Sequence, residues 1–228
     1  MGKLLILAAY LVYAAFWIRF FAHILVWLRA KGRGTVPVSY STRGQGKACA
    51  LAAVDVLFFR RLLMVNPALW IGEWLFHASF LVVITRHLRF FLNPVPAWIW
   101  HLQTPGLIAG YILPLSLLYI LIIRLLTTHA KYESPANIFL LALVFLISTI
   151  GVFMHAPFKP DLVDVKLFIF GILTLAPTAI PGNLLFILHF ILFLILVSVL
   201  PTHIFTAPII MLESRKQEQA LRLVIHEE

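Results

Sequence analysis

Residues 68–91 read ALWIGEWLFHASFLVVITRHLRFF. As a helix rising about 1.5 Å per residue this run reaches about 36 Å, enough to cross a hydrocarbon core about 30 Å thick. Its apolar residues do not alternate, so a half-buried strand is excluded. Glu73, His77, Arg86, His87 and Arg89 interrupt the run. Ionisable side chains at membrane depth are costly and mark function by default, so this stretch decides both the solvent of the chain and where its chemistry lies.

The rest of the chain is built the same way. Of its 228 residues, 62% are hydrophobic and 12% are charged, against about 25% charged in an ordinary soluble domain; the mean hydropathy is +0.98. Apolar runs at about 4–28, 106–126, 137–157 and 184–207 join 68–91. Lipid offers nothing to pair an open backbone, so all of them are expected to be helices. The expected fold is an all-α integral membrane bundle of five transmembrane helices, one membrane domain over 1–228 with no room for a separate soluble one. The first run is longer than a signal-peptide core, carries Arg19 and His23, and is expected to remain as a span. Two shorter apolar stretches, 48–65 and 162–176, are broken by Asp55, Arg60 and Arg61 and by Asp164, Lys166 and Pro177. They read as short helices at the interfaces.

The net charge of +9 falls in short segments between apolar runs, which fits membrane topology and not nucleic-acid binding. Residues 29–66 hold seven Lys and Arg, 124–135 two and 209–228 three, against five at the N-terminus and in the 86–105 and 156–183 connections. By the positive-inside rule the N-terminus is expected outside and the C-terminus in the cytoplasm of a prokaryotic cell, the protein being a multi-pass component of the cytoplasmic (inner) membrane. A single cysteine, Cys49, allows no internal disulfide and no Cys-x-x-Cys pair for a cluster or covalent haem.

Four of the nine histidines stand out. His77 and His87 lie ten residues apart on the second span, and His189 and His203 fourteen apart on the fifth. Those spacings are roughly 15 Å and 21 Å along a helix axis. With the two spans antiparallel, His87 and His189 approach the outer face while His77 and His203 lie toward the cytoplasm. Two cross-helix pairs at two depths are what bis-histidine ligation of two b haems requires. His77 and His87 are turned about 80° apart around the second span, and His189 and His203 about 40° around the fifth, so the haem planes must be offset or a helix distorted. Pro201 could supply such a distortion.

The Leu75-Phe76-His77…Arg86-His87 and Leu188-His189…His203-Ile204 patterns, with the tail Pro208…Leu212-Glu213-Ser214-Arg215-Lys216, resemble the gamma subunit of respiratory nitrate reductase across essentially the whole chain. That resemblance implies a dihaem cytochrome b, with His77 and His203 on the cytoplasmic-side haem and His87 and His189 on the outer one. It implies electron transfer between membrane quinone, menaquinone being the first choice, and an iron–sulfur partner subunit of a respiratory complex. The chain would then hold no complete active site for the partner's substrate. Two departures point away from a nitrate reductase proper: the fifth-span histidines stand about one turn closer, and Arg86 replaces the glycine that usually precedes the second histidine. Similar short cytochromes of the membrane redox complexes of sulfate reducers and methanogens, beside heterodisulfide-reductase-like iron–sulfur subunits, match at least as well.

Other residues fill out the expected site. Arg86 and Arg89 flank His87 and could pair with haem propionates or simply snorkel to headgroups. Glu73, one turn before His77, could orient its imidazole or relay protons, or pair with Arg19. His101, Gln103 and Thr104 offer hydrogen bonds to a quinone beside the outer haem, in place of a lysine that the nitrate-reductase relatives use, or form only an interfacial turn. The segments 29–66 and 209–228, with Arg215, Lys216 and Arg222, would present a basic surface to the partner. Two other readings stay open: a transporter or proton pathway using Glu73, His77 and His189, against which the lack of a repeated half counts, and a haem-free membrane anchor. His23 and His155 read more readily as structural, though His155 could approach the outer haem or the quinone.

Overall fold

The computed structural model describes residues 2–30, 45–127, 135–155 and 158–226, and among these it is helical with no strand. The helices are α1 (Gly2–Ala30), α2 (Gln45–Phe58), α3 (Arg60–Val65), α4 (Pro67–His87), α5 (Ala97–His101), α6 (Gln103–Thr127), α7 (Pro135–His155), α8 (Leu162–Leu173) and α9 (Leu184–His226), with a 3₁₀ turn at Leu88–Phe90 after α4. Five segments are long and apolar enough to span a bilayer: Gly2–Val26, Pro67–Phe90, Gln103–Leu126, Pro135–His155 and Leu184–Pro201. The protein is therefore an all-α, multi-pass integral membrane protein.

Pro67 and Pro135 open α4 and α7 at the position where a missing N–H costs nothing. Asp161 caps α8 by accepting from the Val163 and Asp164 amides, and Asn183 caps α9 by accepting from the Phe186 amide at 3.0 Å. After α8 the chain doubles back so tightly that a Cβ on Gly171 would stand 2.7 Å from the Ala176 carbonyl oxygen. Only glycine fits that return.

The chain divides into two compact units. The first comprises Met1–Tyr13 and Ala68–Val197. At one of its ends Phe168 of α8 packs edge-on against Phe186 and Phe190 of α9, with Ala9, Val165 and Leu194 around them. α4 and α6 approach closely at Gly72, where a Cβ would stand 2.8 Å from both Ile120 and Tyr119, and the Tyr119 hydroxyl donates to the Ala68 carbonyl.

The second unit comprises Ala14–Pro67 and Ser198–Glu228. Phe59, in left-handed backbone at φ 49°, breaks the interfacial segment into α2 and α3. The break brings Arg61 back onto Asp55, whose side chain is fully buried. Arg215 of α9 binds the same carboxylate oxygen, and Glu218 accepts from both guanidinium groups at 2.9 Å. The bond and charge of Arg215 hold the Asp55 carboxyl below its ordinary range, and Asp55 in turn raises Arg215. Two of the arginines counted toward a basic docking surface are thus engaged inside the chain. Arg19, expected as a partner of Glu73, donates to the Ser198 carbonyl at 2.9 Å, in the turn that Pro201 leaves one N–H short.

Candidate functional site

His87 ends α4, and its Nδ1 lies 2.7 Å from the Val83 carbonyl one turn back. A carbonyl only accepts, so Nδ1 carries the hydrogen and Nε2 is left with a lone pair pointing away from the helix. His77 is held the same way, its Nδ1 2.7 Å from the Glu73 carbonyl. The backbone of α4 therefore fixes two imidazoles in the tautomer a metal ligand needs, at levels about 15 Å apart.

Across from His87 stands His189 of α9. The two ring centres are 6.5 Å apart with planes 14° from parallel. Two imidazoles on opposite sides of one metal ion, at about 2.0–2.1 Å per metal–nitrogen bond and about 1.1 Å from nitrogen to ring centre, would stand about 6.3 Å apart. An offset aromatic pair can also have this separation; the bonding of the rings separates the cases. His87 presents an unprotonated nitrogen, and the His189 ring is buried beside the Ile147 backbone with no close hydrogen bond at Nδ1. A metal between the rings would use the lone pair of His87, which ring stacking alone does not. The donor set fits a b haem at this level.

α7 lines the same level. A Cβ on Gly151 would stand 3.5 Å from Cε1 of His189, and one turn further His155 faces Tyr111 of α6, ring centres 6.5 Å apart. Arg86 lies along α6 with its side chain where a Cβ on Gly106 would be. The Arg89 guanidinium sits 4.5 Å over the Phe90 ring. His101 closes α5, and Gln103 and Thr104 open α6; all three are exposed and make no hydrogen bond to another described residue. The structure brings Arg86 to the segment expected to bind quinone.

At the other level, Glu73 accepts from Arg124 of α6 at 2.9 Å, and its second oxygen is 3.8 Å from Nδ1 of His77. His203 lies on α9, but its side chain is outside the described residues, as is that of Arg222. Tyr111 and Arg124 were not legible as site residues, since a lone tyrosine in an apolar run and an arginine at a span end have no local signature.

Fold and site together define a class: a multi-pass all-helical membrane protein with a histidine pair spaced for a metal between two of its spans. Two curated proteins are similar to it. The chain is 32% identical over 149 residues to a protein of Archaeoglobus profundus, the match covering 58% of this chain and 44% of the relative. It is 30% identical over 144 residues to one of Archaeoglobus fulgidus, covering 53% and 43%. Both relatives are named Hdr-like menaquinol oxidoreductase cytochrome b-like subunit. The matches thus span less than half the length of these relatives. No family model and no solved structure matches the chain, and nothing found singles out the nitrate reductase gamma family.

Proposed function

We propose that this protein is a b-type cytochrome subunit of a membrane quinol oxidoreductase, carrying two haems. The observation that carries the reading is the His87–His189 pair at 6.5 Å, with the hydrogen of His87 assigned by Val83. The names of the two relatives support it and favour menaquinol as the reductant. His87 and His189 would hold the outer haem, and His77 and His203 the one nearer the cytoplasm. Bound haem would supply a one-electron carrier at each level. The backbone carbonyls of Val83 and Glu73 would fix the imidazole tautomers, Arg86 and Arg89 would serve the propionates, and His101, Gln103 and Thr104 would lie at the edge where a quinone enters. Electrons would pass to an iron–sulfur subunit of a hetero-oligomeric respiratory complex, docked on the cytoplasmic side of a prokaryotic inner membrane. With Arg61 and Arg215 engaged by Asp55 and Glu218, Arg29, Arg60 and Lys216 remain as described basic groups to meet that partner.

The test is a reduced-minus-oxidised spectrum of the purified protein with haem counted chemically. A b-type signal of two haems per chain is expected, and its absence would leave the anchor or transporter reading instead.

A further inference from the structure

The structure assigns a quinol-binding pair that the interfacial residues do not include: we infer that Tyr111 of α6 and His155 of α7 hold one oxygen of the quinol head, with His155 as the proton acceptor. The inference rests on the proposed function.

Three observations carry it. Tyr111 and His155 face each other with ring centres 6.5 Å apart and planes inclined 58°, so the two rims form a notch too open to close on itself. Neither the Tyr111 hydroxyl nor either ring nitrogen of His155 is hydrogen-bonded to another described residue. Both groups therefore keep donor and acceptor capacity in a wall that is otherwise apolar. Tyr111 is 42% exposed, on a stripe with Ile108 and Leu115 that are 54% and 64% exposed. A membrane-dissolved molecule can reach it sideways from lipid.

Position adds a fourth. His155 is four residues after Gly151, hence one turn along the same side of α7, and Gly151 is the residue against which His189 packs. A head group in the notch stands about one helical turn from a haem ligand. His155 is also the last residue of α7, at the end of a segment long enough to span the bilayer. His101, Gln103 and Thr104 lack this link to His189: they lie at the junction of α5 and α6.

The chemistry balances. The quinol loses both O–H hydrogens and becomes the quinone. The proton of the O–H held by the pair leaves through the His155 imidazole to water, and the proton of the opposite O–H leaves to water directly, outside the pair. Haem, when bound, would supply the oxidant: two equivalents of ferric iron would take up the two electrons. Tyr111 donates to the quinone oxygen and keeps it in the notch.

Three measurements on the purified full-length protein test this: the haem spectrum after dithionite, the rate of haem reduction by a menaquinol analogue, and quenching of a fluorescent hydroxyquinoline N-oxide. His155→Gln should slow quinol-driven reduction by about 10²-fold, the lower end of what a positioned proton acceptor contributes. Tyr111→Phe should weaken analogue binding by about tenfold, one hydrogen bond's worth. Haem content should be unchanged in both. Unchanged rate and binding in both variants, with haem intact and the parent protein reduced by quinol, would overturn the pair while the proposed function stands. A parent protein that binds haem but is not reduced by quinol would overturn both. Loss of haem in His155→Gln would also overturn it, by making His155 a structural support of the haem site.

Discussion

Replacing Glu73 by Gln separates two roles that share one residue. Its carboxylate pairs with Arg124, the two side chains being 16% and 24% exposed, while its backbone carbonyl holds Nδ1 of His77. Gln removes the first and keeps the second. Removing one partner of a buried ion pair costs about 3–5 kcal/mol because the other charge is left uncompensated. With a quarter of Arg124 reachable from outside, about 2–3 kcal/mol is expected for Glu73→Gln. For a chain of this size that is a fall in Tm of about 4–12 °C. Arg124→Gln should cost a similar amount, and the double variant should recover about 1–3 kcal/mol relative to the sum of the singles. Thermal unfolding in detergent, followed by tryptophan fluorescence, reads the stability, and the reduced-minus-oxidised spectrum reads the haem. Both haems should remain in Glu73→Gln, because the tautomer of His77 is set by the backbone. Additive single and double effects would refute the ion pair. Loss of the haem near His77 in Glu73→Gln would show that the carboxylate, and not the carbonyl, orients that ligand.

His87→Ala and His189→Ala should remove the same haem and leave the other; unequal losses on chemical haem counting would break the pairing. Gly72→Ala should cost about 1–3 kcal/mol by driving a Cβ into Ile120 and Tyr119, visible as a lower Tm in the same detergent. Asp55, whose carboxyl is depressed by Arg215, contributes stability that is fully present above about pH 3.9 and lost as pH falls through its lower folded value; Asp55→Asn should remove that acid limb, read by hydrogen exchange of α2 and α3. Single cysteines at positions 40 and 220, in a Cys49→Ser background, should resist an impermeant thiol reagent in intact cells; efficient labelling would reverse the proposed topology.

The spans were legible because the bilayer sets their length independently of what they pack against. The run at 68–91 becomes α4 with its 3₁₀ turn, Pro67–Phe90, and the run at 137–157 becomes Pro135–His155. The broken stretch 48–65 becomes α2 and α3, but the break falls at Phe59, a left-handed residue that no turn-forming side chain announces. The fifth span was expected at 184–207, and the membrane-length segment Leu184–Pro201 falls within it, in a helix that continues to His226. The residues after Pro208 are polar enough to leave the membrane, and the sequence offers no reason for them to stay near α2 until Asp55 is seen to bind Arg215, 160 residues away. Long-range ion pairs of this kind have no local signature. For the same reason Glu73 could be matched with Arg19 by eye, although its partner is Arg124.

The histidines show where residue spacing stops informing. It gives the depth of His77 and His87 along α4 and the angle of about 80° between them, and that angle looked like an objection to two haems on one helix. Both rings make the same bond to the carbonyl four residues back, so neither is swung around to meet the other, and the angle persists at the level of the ligands. It is then a property of the site: two haems held by α4 would lie on different sides of that helix, one turned toward α9 through His189 and the other toward whatever His77 faces at the level of the Glu73–Arg124 pair. The depth of each ligand follows from the chain's periodicity, while its partner depends on which helices pack around α4. Only the structure supplies that second fact, and it does so for His87 through His189, whose own neighbour Gly151 brings α7, and with it His155, to the same level.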